Sequence, residues 1–113
     1  MTIRGYYLGC PGWGLKSWVG RLFPPGTRST EFLERYADVF NTVEGNTTFY
    51  ALPTPEMIER WGAQVPDHFR FCFKFPRTIT HDRRLDLPHG DAELAEFLAR
   101  VTPLEYKLGT LFL

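Results

Sequence analysis

A chain of 113 residues, 43% of them hydrophobic, is one domain at most and is long enough to bury a core. Its 13 basic and 13 acidic side chains cancel to zero, which removes any general field toward nucleic acid or an anionic membrane. No apolar run approaches a membrane span, and the opening MTIRGYYLG lacks the apolar core of a secretory signal, so a cytoplasmic protein is expected.

Tyr6 to Cys10 reads as a short buried strand closed by Pro11 and Gly12. An irregular segment with Trp13, Trp18 and Phe23 runs to the breaker Pro24-Pro25-Gly26. Ser29 or Thr30 is placed to cap a first helix, with Glu31 at its positive end and Phe32, Leu33, Tyr36, Val39 and Phe40 along one face. Thr42 to Asn46 is the second strand. Thr54-Pro55-Glu56 opens a second helix with a cap, a proline in the first position and an acid in the first turn. Met57, Ile58, Trp61 and Val65 stripe that helix, and Pro66 ends it. Arg70 to Phe75 is the third strand, with phenylalanine at Phe71, Phe73 and Phe75. After a long loop containing a Pro88-His89-Gly90 turn, Asp91 caps a third helix striped by Leu94, Phe97, Leu98 and Val101. Leu108 to Leu113 is the fourth strand. Cys10 and Cys72 form no metal or disulfide pattern and are expected as free, buried thiols. Asn46-Thr47-Thr48 matches a glycosylation acceptor only by coincidence in a protein that is not secreted.

Strand-helix units recurring every 30 to 40 or so residues are parallel crossover units, which leaves an open doubly wound sheet or a (β/α) barrel. Gly9, Gly12 and Gly14 lie too far before the first helix to make a dinucleotide cradle, so the barrel is preferred. Four strands are half of one. The expected fold is therefore α/β, a partial TIM-type barrel of about four parallel strands and three helices. Residues 1–113 would form its amino-terminal half, cut within or just after the fourth strand. The apolar last strand, LGTLFL, would leave an edge open to self-association.

The segments GCPGW (Gly9 to Trp13), VEGNTTFYALP (Val43 to Pro53), FRFCFKFP (Phe69 to Pro76) and TITH (Thr78 to His81) resemble the signature of the YecE-like family, also known as domain of unknown function 72. The later LEYKLGTLFL occupies the place of that family's Lys/Arg-Leu/Ile-Gly strand. The resemblance implies a bacterial or archaeal TIM-type barrel with no established activity.

In such a barrel the chemistry sits at the carboxyl ends of the strands. If the phenylalanines face the helices, Cys72 and Lys74 point inward. If Val43 and Gly45 face the helices, with Gly45 admitting a close helix, then Glu44 and Asn46 point inward too. Glu44 is a candidate general acid or base and Lys74 its electrostatic partner or a Schiff-base amine; a structural ion pair is the competing reading. Asn46 is a candidate for orienting substrate, against a role in satisfying loop backbone. His81, in the loop after the third strand, is raised by the family resemblance above His68 and His89 as a base or ligand. Trp13 and Tyr50, with Trp18 and Phe49, offer flat surfaces for a sugar or base, or else pack the loops onto the rim.

Glu44 and His81 fall short of a metal site, and no cofactor is expected. The leading expectation is an enzyme acting on a small polar or phosphorylated substrate. The alternatives are a non-catalytic module binding nucleic acid or protein, and a metal-dependent nuclease-like barrel.

Overall fold

The computed structural model describes residues 5–45, 51–77 and 87–112, the first five of the last stretch by their backbone alone. Three helices, α1 (Phe32–Ala37), α2 (Pro55–Gln64) and α3 (Leu87–Val101), alternate with three strands, β1 (Thr42–Gly45), β2 (Arg70–Lys74) and β3 (Leu108–Phe112). The strands form one parallel sheet in the order β1-β2-β3, so each helix between strands is a crossover.

Helix α2 begins as its sequence dictates. Thr54 Oγ1 accepts from the Met57 amide at 3.2 Å, and Pro55, which has no amide to leave unpaired, takes the first turn. Helix α1 departs from expectation. Neither Ser29 nor Thr30 caps it; both enter a 3-10 turn, Ser29–Glu31, and the Glu31 carboxylate reaches back to the Arg28 amide at 3.3 Å. Helix α3 starts upstream of Asp91, taking in the Pro88-His89-Gly90 stretch that reads as a turn. Pro88 at the second helical position has no intrahelical partner to lose there, so it starts the helix instead of breaking it.

The strand alternation places the core. Phe71 and Phe73 are fully buried on the helix side, their rings stacked at 5.8 Å and covered by Trp61 of α2 at 6.4 and 6.2 Å. Val43, Phe97 and Val101 complete this layer. Gly45 faces it as expected, but for another reason: a Cβ there would lie 2.7 Å from the Phe73 ring, so the glycine makes room for a neighbouring side chain, not for a helix. Gly109 of β3 meets a similar limit, its absent Cβ being 3.1 Å from both Cys72 Sγ and the Phe71 carbonyl oxygen.

Tyr6 to Cys10 is extended along β1 but is not a strand of the ladder, which corrects the expectation of four. The cause is two side chains inserted where backbone bonds belong. Asn41, buried at 4% exposure, accepts from the Leu8 amide through Oδ1 and donates to the Tyr6 carbonyl through Nδ2, each at 2.7 Å. The Tyr36 hydroxyl accepts from the Cys10 amide and donates to the Thr42 carbonyl, again at 2.7 Å each. Among the described residues, two direct bonds remain, Asn41 N to Leu8 O at 3.4 Å and Glu44 N to Cys10 O at 3.1 Å. Burial pushes the Tyr36 phenol up to about 12.

The entry to β3 is fixed by Lys107. Its ammonium donates to the Gly62 carbonyl at 2.7 Å and the Val65 carbonyl at 3.0 Å, closing the carboxyl end of α2 with a cation. The turn before it, Thr102–Lys107, holds Glu105 at φ 56° and ψ −125°, a conformation suited to glycine.

Candidate functional site

The helices cover one face of the sheet, and the other face is a concavity of about 540 Å3. Its floor follows from register. Glu44 lies opposite Cys72 on the adjacent strand, so both leave the helix-facing layer together. Thr42, two residues before Glu44, lies on the same face; its hydroxyl donates to the Arg70 carbonyl at 2.8 Å and stands 3.6 Å from Cys72 Sγ.

On the far side, the β2–β3 register slips between Phe71 and Phe73. Leu108 pairs with Phe71 and Leu111 with Phe73, so Gly109 and Thr110 together oppose Cys72. Such a bulge re-aims a side chain, and Thr110 joins the concavity with Phe112. Among the described residues, Glu44 is the one charged side chain in the lining, set among the hydroxyls of Tyr7, Thr42 and Thr110, the thiols of Cys10 and Cys72, and apolar groups. Both thiols are free and partly covered, less buried than expected.

The structure thus brings Glu44 and Lys74 to one face. Glu44 is exposed, and Lys74, half-buried, lies two residues beyond Cys72 toward the carboxyl ends of the strands. Trp13 goes elsewhere. Its ring packs edge-on against Trp61 at 5.1 Å and Phe71 at 6.2 Å, on the helix side, beside a smaller cleft that Arg60 and Gln64 also line. Asn46, Tyr50 and His81 lie outside the described residues.

Sequence reading gave no role to Thr42, Cys72 or Thr110. The alternation that turns Glu44 inward also identifies Thr42 and Cys72. Thr110 carries no such signal, because the bulge that redirects it arises only from packing against β2. Chemically, the floor can donate and accept hydrogen bonds through its hydroxyls and can move a proton at the Glu44 carboxylate. No three His, Cys, Asp or Glu side chains come together to hold a metal among the described residues, and no helix there is long and apolar enough to cross a membrane.

A second hollow, about 520 Å3, lies outside the sheet between α2, α3 and the turn before β3. Its polar groups serve the fold. Arg100 donates to the Pro53 carbonyl at 2.9 Å, and Lys107 holds α2. At the amino-terminal end of the sheet the Tyr106 hydroxyl donates to Asp67 at 2.8 Å; that bond pushes its phenol above the ordinary value, while the Arg70 guanidinium sits 5.6 Å over the ring.

Comparison with known proteins converges on one family. Residues 7–113 match the family model described as protein of unknown function DUF72. The chain is 50% identical over 107 residues to the UPF0759 protein YecE of Escherichia coli (strain K12), covering 95% of this chain and 36% of YecE. It is 31% identical over 87 residues to the UPF0759 protein YunF of Bacillus subtilis (strain 168), covering 77% of this chain and 30% of YunF. The chain therefore spans about a third of the curated relatives it matches.

Two crystal structures of DUF72 family proteins have similar folds. One, from Thermotoga maritima, has a TM-score of 0.72 at 26% identity over 93% of this chain and 42% of its own. The other, from Enterococcus faecalis, has a TM-score of 0.68 at 26% identity over 94% and 37%. With the VEG, FCFKFP and KLG segments placed on three consecutive parallel strands and their connections, the chain belongs to the DUF72 family, the YecE-like proteins.

Proposed function

We propose that this chain is the amino-terminal half of a cytoplasmic (β/α) barrel whose concave face processes a small polar or phosphorylated molecule, with Glu44 as general acid or base. The observation that carries the reading is the placement of Glu44. It stands near the carboxyl end of a parallel strand, in an open concavity, beside hydrogen-bonding groups from all three strands: Thr42, Cys72 and Thr110. Parallel α/β sheets bind ligands at this end, where side chains from successive strands converge on one point. Lys74, on the same face and nearer the strand ends, is the positive partner for a developing negative charge, and Asn46 and His81 belong by sequence to the loops above it.

The test is a turnover screen of a small-metabolite extract, read by mass spectrometry. It uses this chain and a hybrid in which it replaces the matching 107 residues of YecE. A substrate consumed by the parent and spared by Glu44→Gln supports the reading. Equal consumption by parent and variant refutes the role of Glu44. Ligand capture without consumption replaces the enzyme with a binding module.

A further inference from the structure

The cleft beside Trp13, on the helix side of the sheet, has a chemistry that the concave face does not share. It holds about 250 Å3 between the Ser29–Glu31 turn and α2, lined by Trp13, Ser29, Thr30, Arg60, Trp61 and Gln64 over a base that includes Leu33. Every wall falls between Trp13 and Gln64, so β3 takes no part in it. The fold fixes the walls. Gln64 Nε2 donates to the Thr30 carbonyl at 2.7 Å and pins the turn to the end of α2. Trp13 stands edge-on to Trp61, with ring centroids 5.1 Å apart, and both rings contact Phe71. Leu33 and Trp61, at 2% and 6% exposure, are the most deeply buried of the lining.

The polar side chains of this cleft are mostly donors. The Arg60 guanidinium carries a planar fork of N–H groups, each indole carries one, and the Ser29 and Thr30 hydroxyls rotate to suit a partner. Among the described residues none of these side chains makes a hydrogen bond or an ion pair. Arg60 has Glu56 one turn before it on α2, the spacing of a helical ion pair, yet the two do not pair. No carboxylate lines the cleft, so the guanidinium charge is uncompensated there. The Trp61 indole is the more telling group, because a polar group on a side chain this buried ordinarily has a partner.

We propose that this cleft is a second ligand site, one that binds a phosphoryl group. Excess donors, one unpaired guanidinium and no carboxylate select an oxyanion, and the planar fork of Arg60 matches two phosphoryl oxygens at once. The Ser29 and Thr30 hydroxyls donate to the remaining oxygens. The volume lies just below the range of drug-sized ligands, which starts at about 300 Å3, so a phosphate ester of a small sugar or polyol fills it. The indoles offer flat apolar surface to the carbon skeleton of such an ester. Trp13 therefore serves a ligand, as its ring suggests in the sequence, but on the opposite side of the sheet from Glu44.

This inference is independent of the role of Glu44. The experiment titrates the isotopically labelled 113-residue chain with inorganic phosphate, glucose 6-phosphate and glucose at constant ionic strength. Backbone amides and the three tryptophan indole signals are followed. The expected result is saturating shifts at the Trp13 and Trp61 indoles and at Ser29, Thr30 and Arg60, with Kd of about 1 mM or tighter. The Trp18 indole, packed on Phe23 and Tyr36, stays in place. Saturation by either phosphate supports the site, and the tighter of the two identifies the source of the phosphoryl group. Arg60→Gln, at an exposed position, keeps the circular dichroism of the parent and weakens binding roughly tenfold or more. Arg35→Gln removes an equal charge, one paired with Asp38 on α1, and leaves binding unchanged. Ser29→Asp, also at an exposed position, sets a carboxylate against the ligand and abolishes binding. Shifts that fail to saturate by roughly 50 mM overturn the proposal, as do equal shifts with glucose or binding indifferent to Arg60→Gln. Shifts confined to Thr42, Glu44, Cys72 and Thr110 overturn this cleft and leave the concave site standing.

Discussion

Replacing Tyr36 by phenylalanine keeps the ring, which is fully buried between Trp18, Phe40 and Phe69, and removes only the oxygen. That oxygen joins the Cys10 amide to the Thr42 carbonyl. Its loss removes two bonds worth about 1 kcal/mol each and strands a donor and an acceptor in a part-buried seam, for a total of about 2 to 3 kcal/mol. Closing the seam with a direct Cys10–Thr42 bond would recover part of this. The backbones have little room to close further, since Gly9 already packs so near Thr42 that a Cβ built there would collide with the Thr42 carbonyl oxygen. Urea unfolding followed by tryptophan fluorescence measures the loss, and hydrogen exchange at the Cys10 amide locates it. A destabilisation under about 0.5 kcal/mol with unchanged Cys10 protection would refute the bridging role.

The same phenol makes an alkaline prediction. Its folded value, about 12, lies above the ordinary phenol value of 10.0, so its contribution is whole below pH 10 and is lost as pH rises toward 12. That difference corresponds to about 3 kcal/mol of stability. The gap in stability between the parent and Tyr36→Phe should therefore narrow across that window; a constant gap contradicts burial of the neutral phenol.

Further predictions concern the turn and the helix it secures. Glu105→Gly should raise stability by about 1 kcal/mol, because glycine takes φ 56° without strain; a melting temperature that falls counts against the strained turn. Lys107→Met, removing the ammonium from the Gly62 and Val65 carbonyls, should cost about 2 kcal/mol in urea unfolding, with Lys107→Arg recovering part of it. Gly45→Ala should cost about 1 to 3 kcal/mol in thermal unfolding, because its methyl group would have to displace the buried Phe73 ring; a neutral result would show that the ring has free space.

What could be read in the sequence was what short-range chemistry decides. The Thr54-Pro55-Glu56 start of α2 needs nothing beyond its own first turn, and the phenylalanine alternation of β2 has one burial solution. With the Val43 and Gly45 alternation of β1, the alternation of β2 is enough to place Glu44, Cys72 and Lys74 on one face. The misread features are tertiary. Tyr6–Cys10 has the composition of a strand, yet its place in the ladder is decided by side chains of Tyr36 and Asn41, distant in the chain. Thr110 reaches the concavity through a register slip that composition does not encode. Lys107 stands in a signature segment, but its work is to hold the end of α2, some 40 residues earlier in the chain.

The most direct test is a titration of the isotopically labelled chain with sugars, polyols and their phosphates, following backbone amide shifts. A ligand seated on the concave face moves Thr42, Glu44, Cys72 and Thr110 together, and Glu44→Gln weakens that binding while leaving the spectrum of the free fold in place. Titrations that leave these four amides still, or that move only the α2–α3 hollow around Arg100 and Leu104, would contradict it.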